Sequence, residues 1–383
     1  MLRSAHRRAT PTRSLALTAV LALTLAGCSG EEEGGDTTSN GEKSSEKPES
    51  GNESESGKAG KGGEEGAGGQ VVEHAFGETP VPDKIERVAT VDWANQETPL
   101  ALGIVPVGMS KMTWGDDDGD GVQPWVESAL EELGGEEPVL FDETDGYDFE
   151  AIAKTEPDVI LAGYSGLSKE DYNTLSDIAP TIAYPDDVWA TEWDDATMQN
   201  ARGLGKEEEG EKLVEDARRE IEKAVEKHPE IKGKSVMLMT HVDLTDLSEI
   251  NFYSAEDARA KFFEDLGMKT PESIKRHTEE GKYAGTISTE NADELKDVDV
   301  IVTYGGTELY EALAADPVLS QLPAVKNKAV VALDGEKAEG AAANPTILSI
   351  PETTELYVEK IAEALEGKGS GVSEGKGSSS EKK

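Results

Sequence analysis

The chain is expected to fold as α/β, in two lobes with largely parallel sheets joined by one long helix. Three observations predict this. Short apolar runs alternate with helical stretches in both halves of the sequence. A single long amphipathic stretch separates those halves. A short residue pattern then occurs once in each half.

The elements follow in order. Arg3, Arg7, Arg8 and Arg13 form a positive leader, and Leu15 to Ala26 is an apolar run too short to span a bilayer comfortably. This is an export signal, residues 1–27. The motif Leu25-Ala26-Gly27-Cys28 resembles the bacterial lipobox, in which the cysteine thiol receives a diacylglycerol. Cys28 is the only cysteine of the chain, so no internal disulfide is possible. Acyl chains on Cys28 imply a protein held on the extracytoplasmic face of the cell membrane. Residues 28–70 are rich in Gly, Ser, Glu and Lys with almost no apolar residues, which predicts a disordered tether. Residues 367–383 read as a disordered tail for the same reason.

The first lobe is expected over residues 71–195. Arg87 to Val91 reads as a buried strand and Asn95 to Leu102 as a helix closed by Gly103. Val105 to Met109 is a second strand, Phe149 to Lys154 a helix, and Pro157 to Ala162 and Thr181 to Tyr184 are strands. The separating helix falls within residues 196–229. Leu213, Ala217, Ile221, Ala224 and Val225 recur at helical spacing, and His228-Pro229 ends it. The second lobe, residues 230–366, repeats the alternation: strands at 235–240, 298–303 and 329–333, and helices at 255–266 and 353–365.

The repeated pattern is Asp148-Phe149-Glu150, Asp158-Val159-Ile160 and Tyr164 in the first lobe. In the second it is Ser288-Thr289-Glu290, Asp299-Val300-Ile301 and Tyr304. Each set reads as a capped helix, a strand, and a Tyr-Gly or Tyr-Ser-Gly loop at the strand's C-terminal end. Ligands of open α/β sheets bind outside those ends. Facing lobes would place Tyr164 and Tyr304 at one cleft.

The blocks Arg87-Val88-Ala89-Thr90-Val91-Asp92-Trp93, Glu97 to Gly108, Glu156 to Ala162 and Leu322-Pro323-Ala324-Val325 are carried in an order and spacing that identify a family. Residues 71–366 resemble the substrate-binding lipoproteins of bacterial ABC importers for iron–siderophore complexes, a group that includes vitamin B12 and haem binders. The resemblance implies two Rossmann-like lobes around a cleft, as in class III substrate-binding proteins. It also implies that Glu150 and Glu290 dock into arginine pockets of the permease. Both fall in the first turn of a helix, where the helix dipole also favours a glutamate that has no such task.

A ferric siderophore is large and polar, and aromatic side chains suit it. The ligand-binding candidates are therefore Trp93, Trp114, Tyr164, Trp189 and Tyr304, all at expected strand-end loops, although a tryptophan is often just partly buried packing. Tyr253 and Trp193 are weaker candidates. The folded part carries about −41 of the net −42. That acidity opposes nucleic-acid binding and, with no arginine evident on a cleft loop, favours a neutral or cationic chelate such as a ferric hydroxamate. A B12, haem or other metal-chelate receptor is the alternative.

Asp116-Asp117-Asp118-Gly119-Asp120-Gly121 with Glu127 fits the spacing of a calcium loop, but the stretch before it is a poor entering helix. The solvated acidic loop is the preferred reading, and no metal site is assigned. The five histidines show no metal-ligand spacing, and there is no Gly-x-Ser-x-Gly turn. A binding protein without a cofactor is expected rather than an enzyme. Its expected partners are a ferric siderophore, an ABC permease, and the membrane through the lipid anchor alone, with the protein acting as a monomer.

Overall fold

A computed structural model describes residues 69–370, apart from Thr307 and Glu336. The export signal, Cys28, all but the end of the tether, and the tail beyond Ser370 lie outside the described residues. Among those described, no helix is long and apolar enough to cross a membrane.

The chain opens with an antiparallel hairpin, β1 (Val71–His74) and β2 (Gly77–Pro80). Five short strands then form the first sheet: β3 (Val88–Thr90), β4 (Gly108–Ser110), β5 (Val139–Phe141), β6 (Val159–Ala162) and β7 (Thr181–Ala183). All pair in parallel, in the order β5-β4-β3-β6-β7. Every residue of β3 and β6 is buried, as the continuous apolar runs require of strands covered on both faces. The strand expected at 105–109 starts later, at Gly108. Pro106 has no N–H for a ladder, and the first bond of that segment to β3 is from Val107 N to the Val88 carbonyl, 2.8 Å.

The second lobe holds β8 (Val236–Leu238), β9 (Glu249–Tyr253), β10 (Ala284–Ser288), β11 (Val300–Tyr304) and β12 (Val330–Leu333). β12-β11-β8 is parallel, and β9 and β10 form an antiparallel ribbon. A single bridge from Met239 to Phe252 joins the ribbon to the end of β8.

The long helix between the lobes is in two pieces, Trp193–Gly203 and Glu207–Lys227. Gly205 takes a φ of +66°, which glycine reaches without the steric cost a Cβ brings, and the chain turns there. Ala217, Ile221, Ala224 and Val225 bury one face of the second piece in the core of the second lobe. The closing helix Ser349–Leu365 buries Tyr357, Val358 and Ile361 in the same core.

The sequence echo has a structural counterpart. Asp158, just before β6, accepts from the Glu86 and Arg87 N–H groups at 2.8 and 2.9 Å, where β3 starts. Asp299, just before β11, accepts from Ser235 N at 2.9 Å, where β8 starts. The same aspartate fastens two parallel strands in each lobe. The echo is inexact at its helices. Glu150 is in the first turn of an α-helix, Phe149–Lys154, and Glu290 is in a 3-10 turn, Thr289–Leu295.

Candidate ligand cleft

The loops that leave the C-terminal ends of β3, β4, β5 and β7 enclose a cavity of about 370 Å³. Trp93 follows β3, Trp114 follows β4, Asp142 to Thr144 follow β5, and Trp189 follows β7, so all of its walls are strand-end loops. Three of the five aromatic residues expected at the ligand therefore share one cavity. The other two adjoin it. The Tyr164 ring meets Trp189 edge-on at 5.2 Å, and the Tyr304 ring meets Trp114 edge-on at 5.0 Å.

Local backbone conformation sets these rings. Asp92, Ala94 and Trp189 have φ of 60°, 61° and 57°, each costing on the order of 1–3 kcal/mol for a residue with a Cβ. Asn95 compensates in part. Its Nδ2 donates to the Val91 and Tyr164 carbonyls at 2.7 and 2.9 Å, and its Oδ1 accepts from Tyr164 N and from Asn200 of the linking helix. The strained loop after β3 is thereby tied to the loop after β6. Gly166 is needed beneath Trp189, because a Cβ there would stand 2.7 Å from the indole Cζ2.

Trp114 also belongs to the lobe interface. Its Nε1 donates to the Gly340 carbonyl at 3.1 Å, and Gly115 N donates to the Gly335 carbonyl at 3.0 Å. Its ring lies so close to Gly335 that a Cβ there would overlap it. His241 joins on the same side, 5.8 Å from the Trp114 ring.

The cavity floor holds two carboxylates that the sequence did not bring forward, Asp92 and Glu143. Glu143 Oε2 accepts from Asp92 N at 2.9 Å and Ser110 Oγ at 2.8 Å. Tyr147 donates to Asp92 Oδ2 through a short hydrogen bond, and Gly166 N donates to the same oxygen at 3.3 Å. Burial pushes the Asp92 carboxyl up to about 6, against the hydrogen bonds from Tyr147 and Gly166. Burial, and then the adjacent Asp92 charge, push Glu143 up to about 7. Glu143 Oε1 and Trp93 Nε1 are buried without a hydrogen-bond partner among the described residues.

One arginine stands near the cleft tyrosines, on a helix rather than on a cleft loop. Arg259, at the start of the helix Ala258–Asp265, lies over Tyr253 at 3.7 Å and acts electrostatically on both Tyr164 and Tyr304. Its charge is already matched. Nε and Nη2 bind the two oxygens of the buried Asp257 at 2.8 and 2.6 Å. Of the weaker candidates, Tyr253 stands 6.4 Å from Tyr304. Trp193 is packing: it is buried in the second core and donates to Asp265 at 2.8 Å.

Glu150 and Glu290 are both exposed and away from the cavity. Asp148 caps the helix of Glu150 by accepting from Ala151 N, and Glu150 pairs with Lys154 at 2.7 Å. In the acidic loop, carboxylate oxygens of Asp116, Asp118 and Asp120 come within 4.8 Å of one another. Asp116 also accepts from the backbone N–H groups of Gly119 and Gly121, which hold its carboxyl below the usual range against burial.

The family model described as "Periplasmic binding protein" matches residues 88–337. PiaA of Streptococcus pneumoniae, solved in complex with ferrichrome, is 44% identical, with a TM-score of 0.75, over 78% of this chain and 99% of that one. A periplasmic solute binding protein of Mycobacterium smegmatis is 26% identical with a TM-score of 0.63, over 78% of this chain and 99% of its own. Among curated proteins, the probable siderophore-binding lipoprotein YfiY of Bacillus subtilis is 26% identical over 236 residues, 61% of this chain and 68% of YfiY.

Proposed function

Because the chain belongs to the periplasmic binding protein family, we propose that it captures a ferric siderophore between its lobes and delivers it to an ABC importer for iron uptake. It is a binding protein, not an enzyme. The observation that carries this reading is the cavity walled by Trp93, Trp114 and Trp189 at the strand ends, with Tyr304 of the other lobe against Trp114. Rigid indoles supply contact area at little entropic cost and stack on a chelate that presents no single binding face.

Charge narrows the ligand class. Arg259, near the cleft tyrosines, is neutralised by Asp257, and Asp92, Asp142 and Glu143 line the cavity together with Lys111. Asp92, Asp142 and Glu143 outnumber Lys111 in the cavity lining, which disfavours a highly anionic chelate such as a ferric tris-catecholate. A neutral ferric hydroxamate fits, and PiaA was solved with ferrichrome, a chelate of that kind.

Cys28 would hold the lipid that keeps the binder beside its transporter, and Glu150 and Glu290 would present the loaded lobes to the permease. The lobes act as one monomer in this reading.

Tryptophan fluorescence tests the ligand. Ferrichrome and ferrioxamine should quench strongly, and a ferric catecholate, haem and cobalamin weakly. No response to any ferric chelate would overturn the siderophore reading, and tighter binding of the catecholate would overturn the neutral ligand.

A further inference from the structure

Glu97 is wholly buried, yet it touches both lobes. It begins the helix Glu97–Ala101, directly after the strained loop that bears Asp92 and Trp93. Its Oε1 accepts from Trp125 Nε1 of the first lobe at 2.7 Å. Its Oε2 accepts from Leu348 N of the second lobe at 2.8 Å, where the helix Ser349–Leu365 starts. Thr346 and Ser349 lie beside the carboxylate and favour its ionised form. Leu348 itself offers no capping side chain; Thr346 Oγ1 accepts from Ser349 N at 3.3 Å, and Glu97, about 250 positions upstream, accepts from Leu348 N.

We infer that Glu97 is an inter-lobe positioning residue, whose carboxylate fixes the ligand-bearing loop of the first lobe against the start of the closing helix of the second. The small cavity beside this contact agrees. Trp93, Asn95 and Thr98 face Asn344 and Thr346 across it, and Thr197 and Asn200 of the linking helix close its side. Glu97 therefore joins the lobes on the side of the linking helix, whereas Trp114 joins them beside the ligand cavity.

The chemistry makes the contact specific for a carboxyl group. Trp125 and Leu348 each present an N–H, so the group between them has to accept on both oxygens. An amide accepts on one side only and would set its NH2 against a donor. Burial pushes Glu97 up to about 7, against the hydrogen bonds of Thr346, Trp125, Leu348 and Ser349, and no second charge is among its partners. Opening the interface lets Glu97 return to its solvated value. Its raised folded value means that the closed interface takes up a proton: the cost of burying the charge outweighs the stronger hydrogen bonds to the ionised form, and the closed state loses stability as pH rises through about 7.

The test uses the ligand-free protein, so it stands apart from the siderophore reading. Amide exchange is followed at residues 346–352, corrected for the intrinsic effect of pH. Protection should fall by about tenfold between pH 6 and pH 8. In Glu97→Gln, protection should be lower at pH 6 and the pH ratio should collapse to about one. A purely structural role would lower protection and leave the ratio. Trp125→Phe keeps the carboxylate and should keep the ratio, and it serves if Glu97→Gln does not fold. Glu143→Gln, at the cleft floor, should also keep it. A parental ratio near one, an unchanged ratio in Glu97→Gln, or a lost ratio in Trp125→Phe would each overturn the inference.

Discussion

Trp114 of the first lobe stands edge-on to Tyr304 of the second, with ring centroids 5.0 Å apart and planes at 85°. One indole thus lines the ligand cavity and holds the lobes together. Trp114→Ala should lose both. An aromatic pair of this geometry contributes about 0.5–1.5 kcal/mol beyond its area, and a central tryptophan in a binding site commonly costs 2 kcal/mol or more when truncated. Affinity for ferrichrome should fall at least tenfold, with part of the fluorescence quench lost. Titration by fluorescence reads both, and unchanged affinity would remove Trp114 from the ligand site.

Much of this cleft is legible in the sequence, and its gaps have physical causes. Trp93, Trp114 and Trp189 can be placed because each follows an apolar run that reads as a strand, and parallel strands deliver their C-terminal loops to one edge. The partnership of Asp92 with Glu143 is not visible, because it joins loops after β3 and β5 that are 51 residues apart. Arg259 is hidden for a similar reason: its role comes from a turn at Asp257 that points it back over Tyr253. The β9–β10 ribbon shows only as alternation at Ile250 and Phe252, too short to stand out from a loop. The linking helix shows its apolar spacing from Leu213 onward, and Gly203, Gly205 and Gly210 mark where it is weak, the chain turning at Gly205.

The paired carboxylates give the protein a pH dependence. Asp92 is pushed up to about 6 and Glu143 to about 7, both above their unfolded values. Folding therefore takes up protons at this site. The stabilising contribution is fully present below the unfolded carboxylate range and is lost as pH rises through about 6 to 7. Glu143→Gln removes one such group while leaving an acceptor for Ser110 and Asp92 N. Thermal melts between pH 5 and pH 8 should show the parent losing stability with rising pH, and the variant losing less by on the order of 1–2 kcal/mol. Equal slopes in the two proteins would show that Glu143 is not the titrating group.

Gly166 tests whether the strained Trp189 is needed in its place. A methyl added at Gly166 meets the indole at Cζ2, Cε2 and Nε1, all within 3 Å. The Trp189 backbone is already at a φ of 57°. Gly166→Ala should therefore displace Trp189 from the cavity wall and cost about 1–3 kcal/mol of stability as overpacking does. Ferrichrome affinity should fall by more than the stability loss explains at temperatures where the variant is fully folded. Calorimetry for stability and fluorescence for binding separate the two effects.

The proposed permease-docking role of Glu150 and Glu290 makes a prediction that no ligand contact shares. Both side chains are exposed and neither lines the cavity. The Glu150–Lys154 pair is solvent-exposed, so breaking it should cost little, within about 0.5 kcal/mol. Reversing both charges in Glu150→Lys/Glu290→Lys should leave folding and ferrichrome affinity unchanged. The cost should fall on transport. If each glutamate meets arginines of the permease, reversal replaces attraction by like-charge repulsion on both lobes, and such juxtapositions weaken association strongly. Uptake of radiolabelled ferric ferrichrome by cells carrying the double variant should fall to near the level of cells without the binder. Each single variant should fall between that level and the parent. The order matters: a double variant that binds normally and transports normally removes the docking role, whereas one that binds poorly shows that these glutamates act on the lobes rather than on the permease.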